Sequence, residues 1–303
     1  MEQNRRRVSE PVRKQGWVYS LSFFLPALVL LLVYISLGFY PFGEKSLLTA
    51  DMYGQYTCFI SYLKDMPANG NDLFYTFSKS LGGDMFGFAA YYLLSPFNWI
   101  ALFFSTRDLP QAMMLITLLK TGAAGLTFSV FAARESGFRK GVPLFSAGYA
   151  LMAFMFVYQQ NILWLDAVIG LPLVLLGIHR LVTEKKPLLY AVSLGLCLAV
   201  NYYTGYILCL FAVLYFLYKA VMTTAFTSKE GRHACCRAAV RFALSSLLAA
   251  GLAAVITQAH TGGEQDGSPR KPGEGHTDRR LKGQRPPYGR PLFSGIMAFY
   301  GGG

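Results

Sequence analysis

The sequence predicts an all-α polytopic membrane protein with about seven transmembrane helices and a long first outer loop. Of its 303 residues, 53% are hydrophobic and only 15% charged, against about 25% charged in a typical soluble domain. Mean hydropathy is positive, at +0.36. Apolar runs approaching the about 20 residues needed to cross a bilayer as a helix recur between residues 17 and 256, separated by short polar turns. A net charge of +12 would suit a nucleic-acid partner, but the basic residues fall in short clusters between apolar runs rather than on one patch. That pattern marks membrane topology, and no nucleic-acid partner is expected.

The first run follows a basic cytoplasmic N-terminus, residues 1–16, much as in a signal peptide. Its uncharged stretch from Gly16 to Gly43 is too long for a signal core and lacks a small-residue cleavage pattern, so it reads as a retained anchor. The expected spans are Trp17–Tyr40, Leu109–Ala133, Val142–Tyr158, Ile162–Val182, Pro187–Val200, Tyr206–Val221 and Phe242–Ile256. An eighth apolar stretch, Met85–Phe104, contains "SPFN" near its middle. Proline there removes a backbone donor and restricts the residue before it.

Lysine and arginine collect on the cytoplasmic side of membrane proteins, which discriminates between seven and eight spans. If Met85–Phe104 does not cross, segments 1–16, 134–141, 180–186 and 219–241 are cytoplasmic and carry 16 basic residues. The outer loops then carry four, Lys45, Lys64, Lys79 and Arg107, all within residues 41–108. If it does cross, 11 basic residues move outside. Seven spans therefore fit, with Met85–Phe104 a re-entrant or interfacial helical hairpin on the outer face, where aromatic residues favour the boundary.

This topology gathers Asp51, the turn Gln159–Asn161, Trp164, Asp166 and the stretch "NYYTGY" from Asn201 at the outer surface. Asp51 reads either as a cap or as a carboxylate at the lip of a cavity, able to act as a base. Tyr53, Gln55 and Tyr56 follow it and could offer hydrogen bonds and stacking faces to a polar substrate. Asp166 lies about 7 Å inside a span at helical rise, where a charge marks either a functional residue or a buried pair that fixes packing. Lys120, near the middle of its own span, is the internal cation able to balance it. "KSLGGDMFG", from Lys79, could cradle an anion, although a plain loop bend explains it as well. Trp164, Tyr202 and Tyr203 are stacking surfaces or interface aromatics. Five cysteines and four histidines show no metal-ligand spacing, so neither a metal nor a disulfide is expected.

Four blocks in order, "ADMYGQY", "SLGGDMFGFAAYYLLSPFN", "NILWLDAVIGLPLVLLGI" and "NYYTGYILCLF", resemble the YfhO family of bacterial membrane proteins. That family is similar to the GT-C class of glycosyltransferases. The resemblance spans about Ser22 to Val255 and implies a GT-C-like architecture, whose long first outer loop carries juxtamembrane helices. It implies a catalytic role for Asp51, as base or acceptor-positioning carboxylate. It also implies transfer of a sugar from a polyprenyl-phosphate carrier to a cell-envelope polymer such as lipoteichoic acid. No separate cofactor is implied. Lys79 and Arg107 are candidates for the cation facing the departing phosphate, while Asn161, Asp166 and Asn201 would shape the cavity and bind sugar hydroxyls. The expected location is the bacterial cell membrane, in contact with lipid.

After Val255 the pattern departs from the family. Residues 257–303 are polar, with 11 glycines and five prolines, and read as a disordered or frame-shifted tail. On that reading the rest of an enzyme is missing and the chain is inactive. Two other functions fit the same residues: a lipid-linked-sugar or polymer transporter, using Lys120 and Asp166 along a polar path, and a non-catalytic assembly protein.

Overall fold

The computed structural model describes residues 16–69, 86–87, 92–136, 140–223 and 228–265. Among these, regular structure is helical apart from one isolated bridge between Phe39 and Lys45. The α-helices are α1 (Gly16–Leu37), α2 (Thr57–Asn69), α3 (Leu109–Ser136), α4 (Val142–Ala150), α5 (Ala153–Val157), α6 (Ile162–Thr183), α7 (Leu188–Val200), α8 (Tyr202–Thr223) and α9 (Lys229–Gln265). Short π and 3-10 segments occupy Met52–Tyr56, Asn98–Phe103 and Thr106–Asp108.

Contacts fix the direction of each helix. Gln111, early in α3, donates to Tyr40 just past the end of α1, whereas Gly125 further along α3 lies against Ser22 early in α1, so α1 and α3 run antiparallel. Lys120 reaches Asp166 and Arg134 reaches Glu184, so α3 and α6 run parallel, with α4 and α5 returning between them. Gly177 lies against Tyr190, and Gly170 against Cys197, which sets α7 antiparallel to α6. Tyr190 bonds Ser246 and Gly195 packs on Leu252, so α9 runs parallel to α7. The described chain thus shuttles between two ends, one holding Asp51 and the other Glu135.

Five helical stretches are long and apolar enough to cross a membrane: Gly16–Leu37, Thr106–Ser136, Ile162–Thr183, Tyr202–Thr223 and Lys229–Ala254. The other two of the seven expected spans are shorter apolar stretches, Val142–Val157 and Leu188–Val200. The first is interrupted at Leu151–Met152, where Met152 turns extended. The second, at 13 residues, rises about 20 Å against a hydrocarbon thickness of about 30 Å. Length therefore supports five spans outright.

Two further expectations change. α9 begins at Lys229, well before Phe242, because Ser228 caps it: the Gly231 amide donates to Ser228 Oγ at 3.0 Å, satisfying an N-terminal donor. Of the hairpin expected at Met85–Phe104, residues 85 and 88–91 lie outside the described residues. The described part contains a 3-10 helix of six residues following Pro96, with Asn98 and Ala101 buried. Of the tail, residues 257–265 continue α9 and the rest lies outside the described residues.

Small residues let the helices approach closely, as they do where lipid removes the hydrophobic drive for association. At the Glu135 end charges stitch three helices together. Glu135 on α3 accepts from Lys219 Nζ at 2.6 Å and Tyr215 OH at 3.0 Å, both on α8, and lies 2.7 Å from His179 Nδ1 on α6. Beside it Glu184 pairs with Arg134 and Arg180. Burial disfavours the Glu184 charge, but these arginines hold its carboxyl below the usual range.

A methyl group added at Gly177 would meet Tyr190 Cα at 2.5 Å, a backbone atom that yields only if the helices part. Gly177→Ala is expected to cost about 1–3 kcal/mol through overpacking and to lower the thermal midpoint in detergent. Gly148→Ala, with nothing within 4 Å, should leave it unchanged or raise it. Equal midpoints for both variants would show that α6 and α7 do not pack closely there.

Candidate functional site

The chain leaves α1 through Gly38, whose φ of +72° suits glycine, and reaches Ala50, whose φ of +46° does not. A left-handed conformation in a residue bearing Cβ costs on the order of 1 kcal/mol. Asp51 follows in ordinary helical geometry, with φ −63° and ψ −29°, and next comes the π turn Met52–Tyr56, closed by the Thr57 amide donating to the Met52 carbonyl. A π turn inside an α-helix is rare and frequently lies at a functional site. Two backbone irregularities therefore flank Asp51.

The turn is held from one side. Met52, Tyr56 and Ile60 are fully buried and join Tyr34, Leu109, Ile116, Ile162 and Leu163 in one apolar cluster. Tyr56 OH accepts the Leu163 amide at 3.4 Å, one of the first-turn donors of α6 that have no intrahelical partner. The Tyr56 ring meets Tyr92 edge to face, 5.3 Å between centroids. Tyr34 OH donates to Gln159 Oε1 at 2.6 Å, tying α1 to the turn before α6. On the other side Asp51 is half-buried and Tyr53 exposed, and Gln55 Nε2 donates to Asp51 Oδ1 at 3.1 Å.

Asp166 has a different setting. Its Oδ2 takes Lys120 Nζ at 2.8 Å and its Oδ1 takes Ser95 Oγ at 2.9 Å. Lys120 is completely buried, donates also to the Ile162 carbonyl at 2.7 Å, and lies 5.9 Å from the centre of the Phe97 ring. This carboxylate is neutralised within the fold and joins α3, α6 and the end of the first loop.

The remaining candidates fall around these two centres. Asn201 is buried and caps α8, its Oδ1 accepting from the Thr204 amide at 2.8 Å and Thr204 Oγ1 at 3.0 Å. Asn161 precedes α6, its carbonyl accepting from the Trp164 amide at 2.9 Å. Trp164 lies between Tyr158, at 5.0 Å, and Tyr203, at 6.1 Å, with Tyr202 exposed nearby in sequence. Arg107 is exposed in a 3-10 turn, and Lys79 lies outside the described residues. Tyr56 has no exposed surface, so it sits beneath the Asp51 turn rather than on a wall open to substrate. Sequence reasoning missed Tyr34 and Ser95, since one looks like an interface tyrosine and the other like a loop serine.

The buried pair can be tested by removing one charge and then both. Lys120→Met should destabilise by about 3–5 kcal/mol, because it strands a buried carboxylate. Lys120→Met combined with Asp166→Leu should recover most of that loss in detergent unfolding. Strictly additive losses would mean the two groups do not pair.

The family described as "Bacterial membrane protein YfhO" matches residues 22–258. A protein of Bacillus subtilis (strain 168) called "Uncharacterized protein YfhO" is 27% identical over 189 residues, covering 56% of this chain and 21% of that protein. The chain thus spans about a fifth of the length of this relative. No solved structure matches. With the family match covering most of the chain, from within the first membrane-crossing helix to α9, this is a member of the YfhO family of bacterial membrane proteins.

Proposed function

We propose that the chain forms the N-terminal membrane module of a GT-C-type glycosyltransferase that moves a sugar from a polyprenyl-phosphate carrier onto a cell-envelope polymer such as lipoteichoic acid. The observation that carries this reading is the contrast between the two carboxylates. Asp166 is consumed by Lys120 and Ser95, whereas Asp51 is half-buried at the start of an irregular turn and receives one hydrogen bond among the described residues, from neutral Gln55. Family membership supports the reading further, as do the long apolar helices.

In this reading the Asp51 end faces outward, the N-terminus is cytoplasmic, and membrane lipid surrounds the helices. Asp51 accepts the proton of an acceptor hydroxyl as its oxygen bonds the anomeric carbon. The bond from that carbon to the carrier phosphate breaks, and the phosphate departs with the electron pair. Arg107 or Lys79 would offset the charge developing on it. Tyr53, Trp164 and Tyr202 would offer surfaces to the sugar or the carrier. The transport reading draws on Lys120 and Asp166, and their closed, buried pairing favours a helix clamp over a polar path.

Asp51→Asn, introduced into a full-length YfhO protein carrying this sequence, should reduce transfer of labelled sugar in membranes by about 100-fold or more with unchanged insertion. Asp65→Asn, at an exposed position on α2, should transfer normally. Undiminished transfer in Asp51→Asn would remove Asp51 from the chemistry, and carrier movement without a new glycosidic bond would favour transport. Orientation has its own test, in a cysteine-free background. An impermeant thiol reagent outside the cell should label Tyr53→Cys, an exposed position at the Asp51 end, and spare Lys186→Cys at the Glu135 end. The reverse pattern would place Asp51 away from any envelope polymer.

A further inference from the structure

We infer that Tyr56 and Ala50 together position the Asp51 carboxylate, Tyr56 by tying the π turn to the first turn of α6 and Ala50 by holding the entry to that turn in a left-handed conformation. The inference rests on the reading of Asp51 as the base and adds two residues that touch neither donor nor acceptor in it.

Tyr56 lies at the end of the π turn that begins one residue after Asp51. Its hydroxyl engages the amide of Leu163, the residue before Trp164 and three before Asp166, so it sets the turn against the helix carrying those side chains. Met52 and Ile60 hold the same face, but both are purely apolar anchors within the buried cluster and fix depth more than rotation. The Tyr56 hydrogen bond is directional, and rotation about the turn is what would swing Asp51 and Gln55 around its axis. The extra residue in each π turn changes where every following side chain points relative to an α-helix. Asp51 and the Met52–Tyr56–Ile60 face keep their present relation only while that turn persists.

Ala50 supplies the other fixed point. Its φ of +46° is unfavourable for a residue bearing Cβ, and strain of this kind persists only where the surroundings over-determine it. Glycine would adopt the conformation freely and would also leave it freely. Ala50 is exposed, so its replacement disturbs no core.

These two substitutions separate positioning from stability, because Ala50→Gly moves the two in opposite directions. In a full-length YfhO protein carrying this sequence, with a labelled polyprenyl-phosphate sugar as donor, Tyr56→Phe should lower kcat by about 10- to 100-fold with KM within about twofold. Its ring and packing remain, so the thermal midpoint should change little. Ala50→Gly should leave the midpoint unchanged or raise it while lowering kcat. A kcat that follows the thermal midpoint in both variants would overturn the inference, as would a wild-type kcat in both while Asp51→Asn is inactive. An active Asp51→Asn would instead bring down the catalytic reading on which the inference rests.

Discussion

Lys120 has no exposed surface, and an ammonium group can occupy such a place only if every favourable contact is close at hand. Asp166 supplies the counter-charge, the Ile162 carbonyl accepts a second hydrogen bond from the ammonium, and Phe97 covers the group. The carboxylate is then completed by Ser95. One buried charge thus recruits α3, α6 and the returning end of the first loop into a single arrangement. Few other placements of these segments satisfy both charges, so the pair sets the register of the Asp51 end.

The two ends of the bundle handle charge differently. At the Glu135 end, each carboxylate lies among several basic side chains: Glu135 with His179 and Lys219, Glu184 with Arg134 and Arg180. These pairs are partly solvated and individually weak, and their effect comes from joining α3, α6 and α8 in a network. At the Asp51 end the fold relies on aromatic and amide contacts instead, with Tyr34 on Gln159, Tyr56 on the Leu163 amide and Trp164 between Tyr158 and Tyr203. Asp51, in that setting, has no cation among its hydrogen-bond partners in the described residues.

Much of the architecture was legible because membrane insertion depends on local composition. The apolar runs marked α1, α3, α6 and α8 to within a few residues, apart from an earlier start to α8. The depth of Asp166 and Lys120 in their runs foretold their pairing, since each needs the other within lipid. The second half of the chain was harder. Residues 229–241 are too polar to suggest a span, yet they form the opening turns of α9, because helix propensity and the Ser228 cap act independently of lipid. The break at Leu151–Met152 has no proline or glycine to announce it.

Sequence by itself determined that this is a helical membrane protein and where its apolar runs lie, and it singled out Asp51 and Asp166 among the acidic residues. Each of those follows from hydropathy or from the cost of a charge at a given depth, quantities fixed along the chain. The structure decided that Asp166 is paired with Lys120 while Asp51 is bonded by Gln55, and that Tyr56 lies under the turn while Tyr53 lies on it. Those outcomes depend on contacts between residues far apart in sequence, Ser95 with Asp166 and Tyr56 with Leu163, and on a left-handed Ala50 followed by a π turn. No periodicity encodes them, because they arise only when the first loop is pressed against α6.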